Sequence, residues 1–310
     1  MSTLQSAATP APRDGGEVRV ALIILTHDRH RFVEEAVAAA RAQTYPHLEL
    51  IISDDGSTDP SLLRLLDAFE AEGLTVLRHR PGGIGASVNA AVHAADATYV
   101  MRLDDDDLID PPYVAEAVAA AQADPSVGIV YCRADFFGDV GGPWRLPDLD
   151  IGMILLDNLI FSTALYRRED WLAVGGYDET MREGREDHDF VLRILGLGRR
   201  VIRLDGTYFH YRRHDLGSVN AEVGESREAL IRAHATIFRN NLPLYEKHAE
   251  EFWRRLFLRV DEANDLRHRY AALERLRSRA PGAVRIARRV RVGAHGLARR
   301  ASALRRPKTP

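Results

Sequence analysis

Residues 48–59 read LELIISDDGSTD. The run Leu48–Ile52 has the apolar, β-rich character of a strand buried inside a parallel sheet. It stops at Asp54-Asp55-Gly56-Ser57, residues that favour a turn. Upstream, Val18–Leu25 is a second, nearly continuous apolar run. Between the two, Phe32, Val33, Ala36, Val37 and Ala40 recur at helical spacing and end near Pro46. Downstream the alternation repeats. Leu62, Leu63, Leu66 and Phe69 form a helical stripe, Thr75–Leu77 a short strand, Gly85–Ala95 a helix and Thr98–Leu103 a strand. Pro111-Pro112 opens the next helix, where proline is tolerated because first-turn amides lack partners anyway. Val127–Tyr131 closes the series. Strands and helices in strict alternation predict an α/β fold, a mostly parallel sheet with helices on both faces.

Composition bounds the rest. The chain has 310 residues, 45% apolar and 28% charged, which is ordinary for a globular protein with one large α/β domain or two smaller ones. No apolar run approaches the ~18 residues of a spanning helix. Cys132 is the single cysteine, which rules out an intrachain disulfide and a cysteine zinc cluster. Residues 1–16 hold no signal-like apolar segment and read as a disordered leader, so a cytoplasmic location is expected. Residues 17–220 are expected to form the α/β domain. Within it, residues 133–160, punctuated by glycine and proline, read as loop. Ile160–Tyr166 reads as a strand, Asp187–Leu197 as a helix closed by Gly198, and Val201–Tyr211 as one or two strands. Residues 221–310 read as a helical extension broken at Pro281-Gly282, with a basic tail. The net charge of −3 divides into +12 from Arg275 onward and −15 before it. Such a tail suits an anionic surface.

Three acidic clusters fall where strands should end, and in open α/β sheets ligands gather at the carboxyl ends of strands. Asp54-Asp55 reads either as a helix-capping turn or as a ligand contact. Asp104-Asp105-Asp106-Asp107 concentrates carboxylates that repel one another; a hard divalent cation would offset this, and an acidic surface turn is the alternative. Arg185-Glu186-Asp187-His188-Asp189 places acids at a helix start, favourable with the helix dipole alone or as a source of a general base. His214 reads as a structural histidine or a metal ligand.

Taken in order and spacing, these segments resemble family 2 inverting glycosyltransferases with the GT-A fold, over roughly residues 18–220. The resemblance runs through Leu22–Arg29, through Gln43-Thr-Tyr-Pro46 followed by Leu48–Asp59, and through Gly83 with Asn89. It continues in Leu103–Asp107 with Pro111, in Gly175-Gly-Tyr-Asp178 leading to Glu186-Asp187, and in Tyr211-Arg212 with His214 and Ser218. It implies a GT-A, Rossmann-like sheet and a nucleotide-diphosphate sugar donor, UDP-, dTDP- or GDP-linked. Thr26, Arg29 and Asp55 would hold the base and ribose, and Asp104 and Asp105 the ribose and sugar side, with Glu186 also in the donor site. Asp106 would ligate Mn²⁺ or Mg²⁺, with His214 as a second ligand. Asp187 would be the catalytic base toward a carbohydrate, lipid-linked or small-molecule acceptor, and Trp144 would stack on a sugar or anchor its loop.

Two rival classes stand beside this one. A sugar nucleotidyltransferase would share the sheet, carboxylates and Mg²⁺, but no N-terminal Gly-rich pyrophosphate loop with Lys or Arg is evident. A non-catalytic nucleotide-sugar-binding scaffold would bind donor without turnover. In the tail, Arg285, Arg288, Arg289 and Arg291 alternate with Val284, Ile286, Val290 and Val292. This suggests peripheral contact with the inner membrane face, and a solvated helix is the plain alternative. The tail lacks interleaved aromatics, so nucleic acid is not expected as a partner.

Overall fold

The computed structural model describes residues 17–182, 184–214 and 227–279. The leader, Ser218 and the basic segment 280–310 lie outside the described residues.

The first half follows the alternation read from sequence. Strand β1 (Val20–Thr26) is buried along its whole length, as an apolar run covered on both faces must be. Helix α1 (Val33–Arg41) turns Val33, Ala36, Val37 and Ala40 inward. Strand β2 (Leu48–Asp54) then pairs in parallel with β1, bringing Thr26 beside Asp54. Helix α2 (Pro60–Ala71) starts with Asp59 accepting from the Ser61 amide and proline in the first turn, a cap contributing about 1 kcal/mol. Strand β3 (Thr75–Arg78) extends the sheet past β2, helix α3 (Ile84–Ala94) follows, and strand β4 (Tyr99–Asp104) pairs in parallel on the other side of β1. Leu25 of β1 aligns with Asp104. The acidic turns after β2 and β4 therefore share one sheet edge with the turn after β1.

After β4 come a short strand β5 (Leu108–Ile109), helix α4 (Tyr113–Ala123) and strand β6 (Val127–Gly138). Here the structure corrects the loop expected over 133–160. Strand β6 continues to Gly138, and β7 (Gly142–Trp144) folds back on it as a hairpin. The register of β6 shifts between Val127 and Ile129 and again between Tyr131 and Ala134, which breaks the alternation that marks a strand. The one-turn α5 (Ile151–Ile154) follows, capped by Asp150 accepting from the Met153 amide. Of the strand expected over Ile160–Tyr166, only its end is a strand, β8 (Leu165–Arg167). The buried Phe161 before it stacks on Phe209 at 4.4 Å instead of joining a ladder.

Helix α6 (Arg168–Ala173) leads to α7 (Glu186–Gly196), and β9 (Arg200–Arg213) is a single long strand. The sheet order is β3-β2-β1-β4-β8-β6-β9-β5, with β7 on β6. Its first four strands and the β6–β9 pair are parallel, whereas β8 and β5 pair antiparallel. The result is a mixed α/β sheet flanked by helices. Helices α8 (Arg227–Asn240) and α9 (Leu242–Lys247) complete this unit, which extends through Phe252; the boundary expected near 221 falls in the undescribed stretch 215–226. Asn241 ties α9 to α7, donating to Asp189 at 2.9 Å.

Helix α10 (Ala249–Arg279) carries the chain into a second unit that begins at Trp253. Within it Trp253, Phe257, Leu266 and Tyr270 are exposed. Among the described residues, no helix is long and apolar enough to cross a membrane.

Candidate active site

The turn after β1 is stitched to the turn after β2. Asp28, at φ 49°, accepts from the Thr58 and Asp59 amides at 2.5 and 2.8 Å, and those amides hold its carboxyl below the usual carboxylate range. Its own amide donates to Ser57 Oγ at 2.9 Å, and Ser57 also bonds Asp54. Asp55 accepts from the Gly82 and Gly83 amides at 2.8 and 2.9 Å and from Ser87 Oγ at 2.7 Å. It thereby fixes the glycine loop at the start of α3; a carboxylate retains further lone pairs for a ligand.

The four aspartates after β4 separate into two kinds. Asp105 is fully buried, takes a 2.5 Å hydrogen bond from Thr26 Oγ1 and lies 3.1 Å from Arg29 Nη2. Burial pushes it up to about 7, with Arg29 opposing. Asp107 is also buried; burial and then the charges of Asp106 and Asp104 hold it well above the usual range, while the Arg212 amide donates to it at 2.9 Å. Asp105 thus belongs to the floor of the site. The ribose contact that the resemblance implies for Asp105 would require the Thr26 and Arg29 contacts to rearrange around the ligand. Asp104 and Asp106 are the two that retain exposure, 24% and 11% of their side chains. Asp106 Oδ2 lies 2.6 Å from Arg29 Nη1 and 3.0 Å from His214 Nε2.

His214 is delivered by the end of β9, which Arg212 fastens in place. The Arg212 guanidinium sits 4.2 Å from the Phe32 ring centroid and 4.3 Å from that of Phe137. It also donates to the Asp106 carbonyl at 2.7 Å and to Glu35 at 2.7 Å.

Arg102 joins the two halves of the site. It is the one cation in strand β4, which is apolar up to the closing Asp104, and its side chain is only 6% exposed. It donates to Asp104 Oδ1 at 2.8 Å and lies 3.3 Å from Glu186 Oε1 at the first position of α7. Burial, and then the adjoining Asp187 charge, push Glu186 up to about 7 despite Arg102. Asp187, next along, is half-buried; its Oδ1 accepts from the His188 amide at 2.8 Å and its Oδ2 from Asn158 Nδ2 at 2.7 Å. Behind α7, Asn89 of α3 is saturated: it donates to the Tyr177 carbonyl and Glu179, and accepts from the Tyr177 amide and Trp171 Nε1. It holds the Gly175–Asp178 turn that leads to the helix. Trp144 packs within an aromatic cluster, stacked on Phe136 at 5.1 Å and edge-on to Tyr211 at 5.4 Å.

The family model for glycosyl transferase family 2 matches residues 21–189, a span that starts in β1 and ends in α7. The chain belongs to glycosyltransferase family 2. The chain is 32% identical over 185 residues to the chondroitin synthase of Escherichia coli, covering 58% of this chain and 27% of that protein. With the O-antigen biosynthesis protein RfbC of Myxococcus xanthus it shares 26% identity over 212 residues, 66% of this chain and 16% of that protein. The chain therefore spans less than a third of the length of these curated relatives. Among solved structures it resembles S. aureus TarS 1-349 in complex with UDP-GlcNAc, with a TM-score of 0.57 at 17% identity over 74% of this chain and 72% of that one. It also resembles the mannosyltransferase PcManGT of Pyrobaculum calidifontis in complex with GDP-Man and Mn²⁺, with a TM-score of 0.52 at 19% identity and 80% coverage of both. At such identities the likeness is one of fold, the GT-A arrangement.

Within this family 2 fold, Thr26, Arg29, Asp105, Asp106 and His214 form one connected cluster, and Asp104 reaches Glu186, the residue before Asp187, through Arg102. Asp55 is linked by its bonds to the glycine loop rather than to the other carboxylates. Sequence reasoning missed Arg102 and Asn158, and placed Asp28 and Arg212 only within longer motifs without a role. Arg102 left a signal, since a charge inside a buried strand requires a partner. Among the described residues no three His, Cys, Asp or Glu side chains form a ready metal cage. Asp106 and His214 do converge, one hard oxygen and one imidazole nitrogen. That suits a divalent ion that completes its shell with water and phosphate oxygens.

Proposed function

We propose that the chain is a metal-dependent inverting glycosyltransferase. It moves a sugar from a nucleotide-diphosphate donor (UDP-, dTDP- or GDP-linked) to a hydroxyl of a carbohydrate, lipid-linked or small-molecule acceptor. The observation that carries this reading is the Arg102 bridge. One buried guanidinium ties the partly exposed Asp104, two residues before Asp106, to Glu186 at the start of the helix that also bears Asp187. In this reading a donor-side and an acceptor-side carboxylate flank a common space.

In this reading Thr26, Arg29 and Asp55 line the nucleotide end, and Asp104 the sugar end. Glu186 supports that end from beneath. Asp106 and His214 would hold Mn²⁺ or Mg²⁺; such an ion, when bound, stabilises the charge growing on the departing diphosphate. Asp187 takes the proton of the acceptor hydroxyl as that oxygen bonds to the anomeric carbon from the face opposite the diphosphate. The carbon–oxygen bond to phosphate breaks, and its electron pair leaves with the nucleoside diphosphate. The sugar passes through an oxocarbenium-like state, and the configuration inverts in one displacement.

The names of the relatives support a role in polysaccharide or cell-envelope glycan synthesis. We place the protein in the cytoplasm, with its arginine-rich segment from Arg275 onward contacting the anionic inner membrane face. The deciding experiment is turnover of a panel of nucleotide sugars by wild type and Asp187→Asn. Loss of a general base should lower turnover about 10²–10⁴-fold while nucleotide affinity is kept. Wild-type turnover by Asp187→Asn would end the assignment, and release of pyrophosphate rather than nucleoside diphosphate would indicate a nucleotidyltransferase.

A further inference from the structure

A carboxylate that must accept a proton from an incoming hydroxyl works only if one of its lone pairs is aimed at that hydroxyl. Asp187 carries this requirement on an awkward piece of backbone. The residue before its helix, Arg185, has φ 71°, a left-handed conformation that costs a non-glycine residue about 1–2 kcal/mol. Something outside the helix must hold the corner. The segment between α5 and β8 does so at two adjacent residues. Asp157 Oδ1 lies 3.3 Å from Arg185 Nη1, and Asn158 Nδ2 donates to Asp187 Oδ2 at 2.7 Å.

Asn158 is itself fixed in the orientation this requires. Its Oδ1 accepts from the Ile160 amide at 3.1 Å, which leaves the NH₂ end facing Asp187. Its backbone amide donates to Asp157 Oδ1 at 3.0 Å, so both gripping side chains belong to one hydrogen-bonded unit. The helix's own contribution is the His188 amide on Oδ1. Among the described residues one donor sits on each oxygen, which sets the plane and rotation of the Asp187 carboxylate and leaves lone pairs for the acceptor.

We propose that Asn158 is the positioning residue of the catalytic base, with Asp157 holding the strained corner beside it. The proposal rests on Asp187 being the base. It assigns a mechanistic role to a loop side chain 29 positions away in sequence.

Two measurements test it on the full chain. The first needs no substrate: the side-chain amide resonance of Asn158, identified by its loss in Asn158→Ala, is followed by ¹⁵N NMR. Asp187→Asn should shift it strongly; an unmoved resonance overturns the proposal. The second measures kcat and KM for release of nucleoside diphosphate from UDP-GlcNAc, UDP-glucose, GDP-mannose and dTDP-glucose in Asn158→Ala and Asn158→Asp. Misaimed chemistry should lower kcat on the order of 10-fold to 100-fold with KM for the donor unchanged. The order of the variants is decisive. Asn158→Asp keeps the shape and the Ile160 bond but turns the donor into a second carboxylate, so it should be worse than Asn158→Ala. If Asn158 only shaped the loop, the isosteric Asp would be the milder change. Should Asp187→Asn retain kcat, the base assignment fails and this proposal with it. Should Asp187→Asn lose kcat while both Asn158 variants keep it, only the positioning role fails.

Discussion

Replacing Arg102 with methionine removes the bridge between the two halves of the site, and its cost should depend on pH in a defined way. The guanidinium lies 2.8 Å from Asp104 and 3.3 Å from Glu186. Breaking a buried pair typically costs about 3–5 kcal/mol when a charge is stranded. Glu186, however, can escape by taking a proton. Burial first, and the Asp187 charge second, raise it from its ordinary 4.5 to about 7. The wild-type folded state therefore binds this proton more tightly than the unfolded chain. Its stability falls as pH rises from 4.5 to about 7, then levels off once Glu186 ionises against Arg102. Without Arg102 the carboxyl stays protonated beyond that point, and stability keeps falling by about 1.4 kcal/mol per pH unit. Near neutral pH the variant should lose chiefly charge-assisted hydrogen bonds, about 1–3 kcal/mol. Two pH units higher, the deficit should be about 3 kcal/mol larger. Urea unfolding of both proteins between about pH 6 and about pH 9 reads this directly, and a Glu186→Gln background should abolish the extra slope. A deficit that stays constant across the range would refute the argument that Arg102 is what allows Glu186 to ionise.

Other expectations follow from single contacts. His210 lies 2.6 Å from Asp135 and 3.2 Å from Asp110; burial lowers its pKa, but the hydrogen bonds to the two aspartates outweigh that and raise it overall. His210→Phe should therefore be most destabilising below pH 6.5, with the deficit fading as pH rises through the raised value. A deficit that grows with pH would contradict this. Gly176 has φ 71°, and an added Cβ would overlap Asn89 Oδ1 and crowd Trp171 Nε1 at 2.8 Å. Gly176→Ala should cost more than about 1 kcal/mol in thermal unfolding. Gly73→Ala, at φ 94° with open space, should cost less; equal losses would show that the Asn89 contact is unimportant.

The placement of two of the three acidic clusters was legible because each closes an apolar strand, whereas the third, expected at a strand end, instead opens α7 after α6 and a turn. Leu48–Ile52 and Thr98–Leu103 announced where the sheet edge lay, and Asp54-Asp55 and Asp104–Asp107 follow closely. What sequence could not resolve was orientation. Four consecutive aspartates look alike, yet the backbone buries Asp105 and Asp107 almost completely and leaves Asp104 and Asp106 a share of side-chain exposure. Their separation depends on Thr26, Arg29 and Arg212, the last more than a hundred residues away. Strand β6 was hidden beyond Tyr131 by its bulges, which scramble the two-residue period. Asn158 was invisible for a different reason: it has no local pattern, and its partner Asp187 meets it only through the tertiary fold.

The central claim is that the Asp104–Asp107 turn and its neighbours form a metal-assisted nucleotide-sugar site. Calorimetric binding of UDP, GDP, dTDP and CDP, with and without Mn²⁺, to wild type and Asp106→Ala tests it most directly. The account predicts tight binding of one nucleotide that needs both Mn²⁺ and Asp106, and that nucleotide would name the donor class. Binding of none, or binding indifferent to both the ion and Asp106, would contradict it.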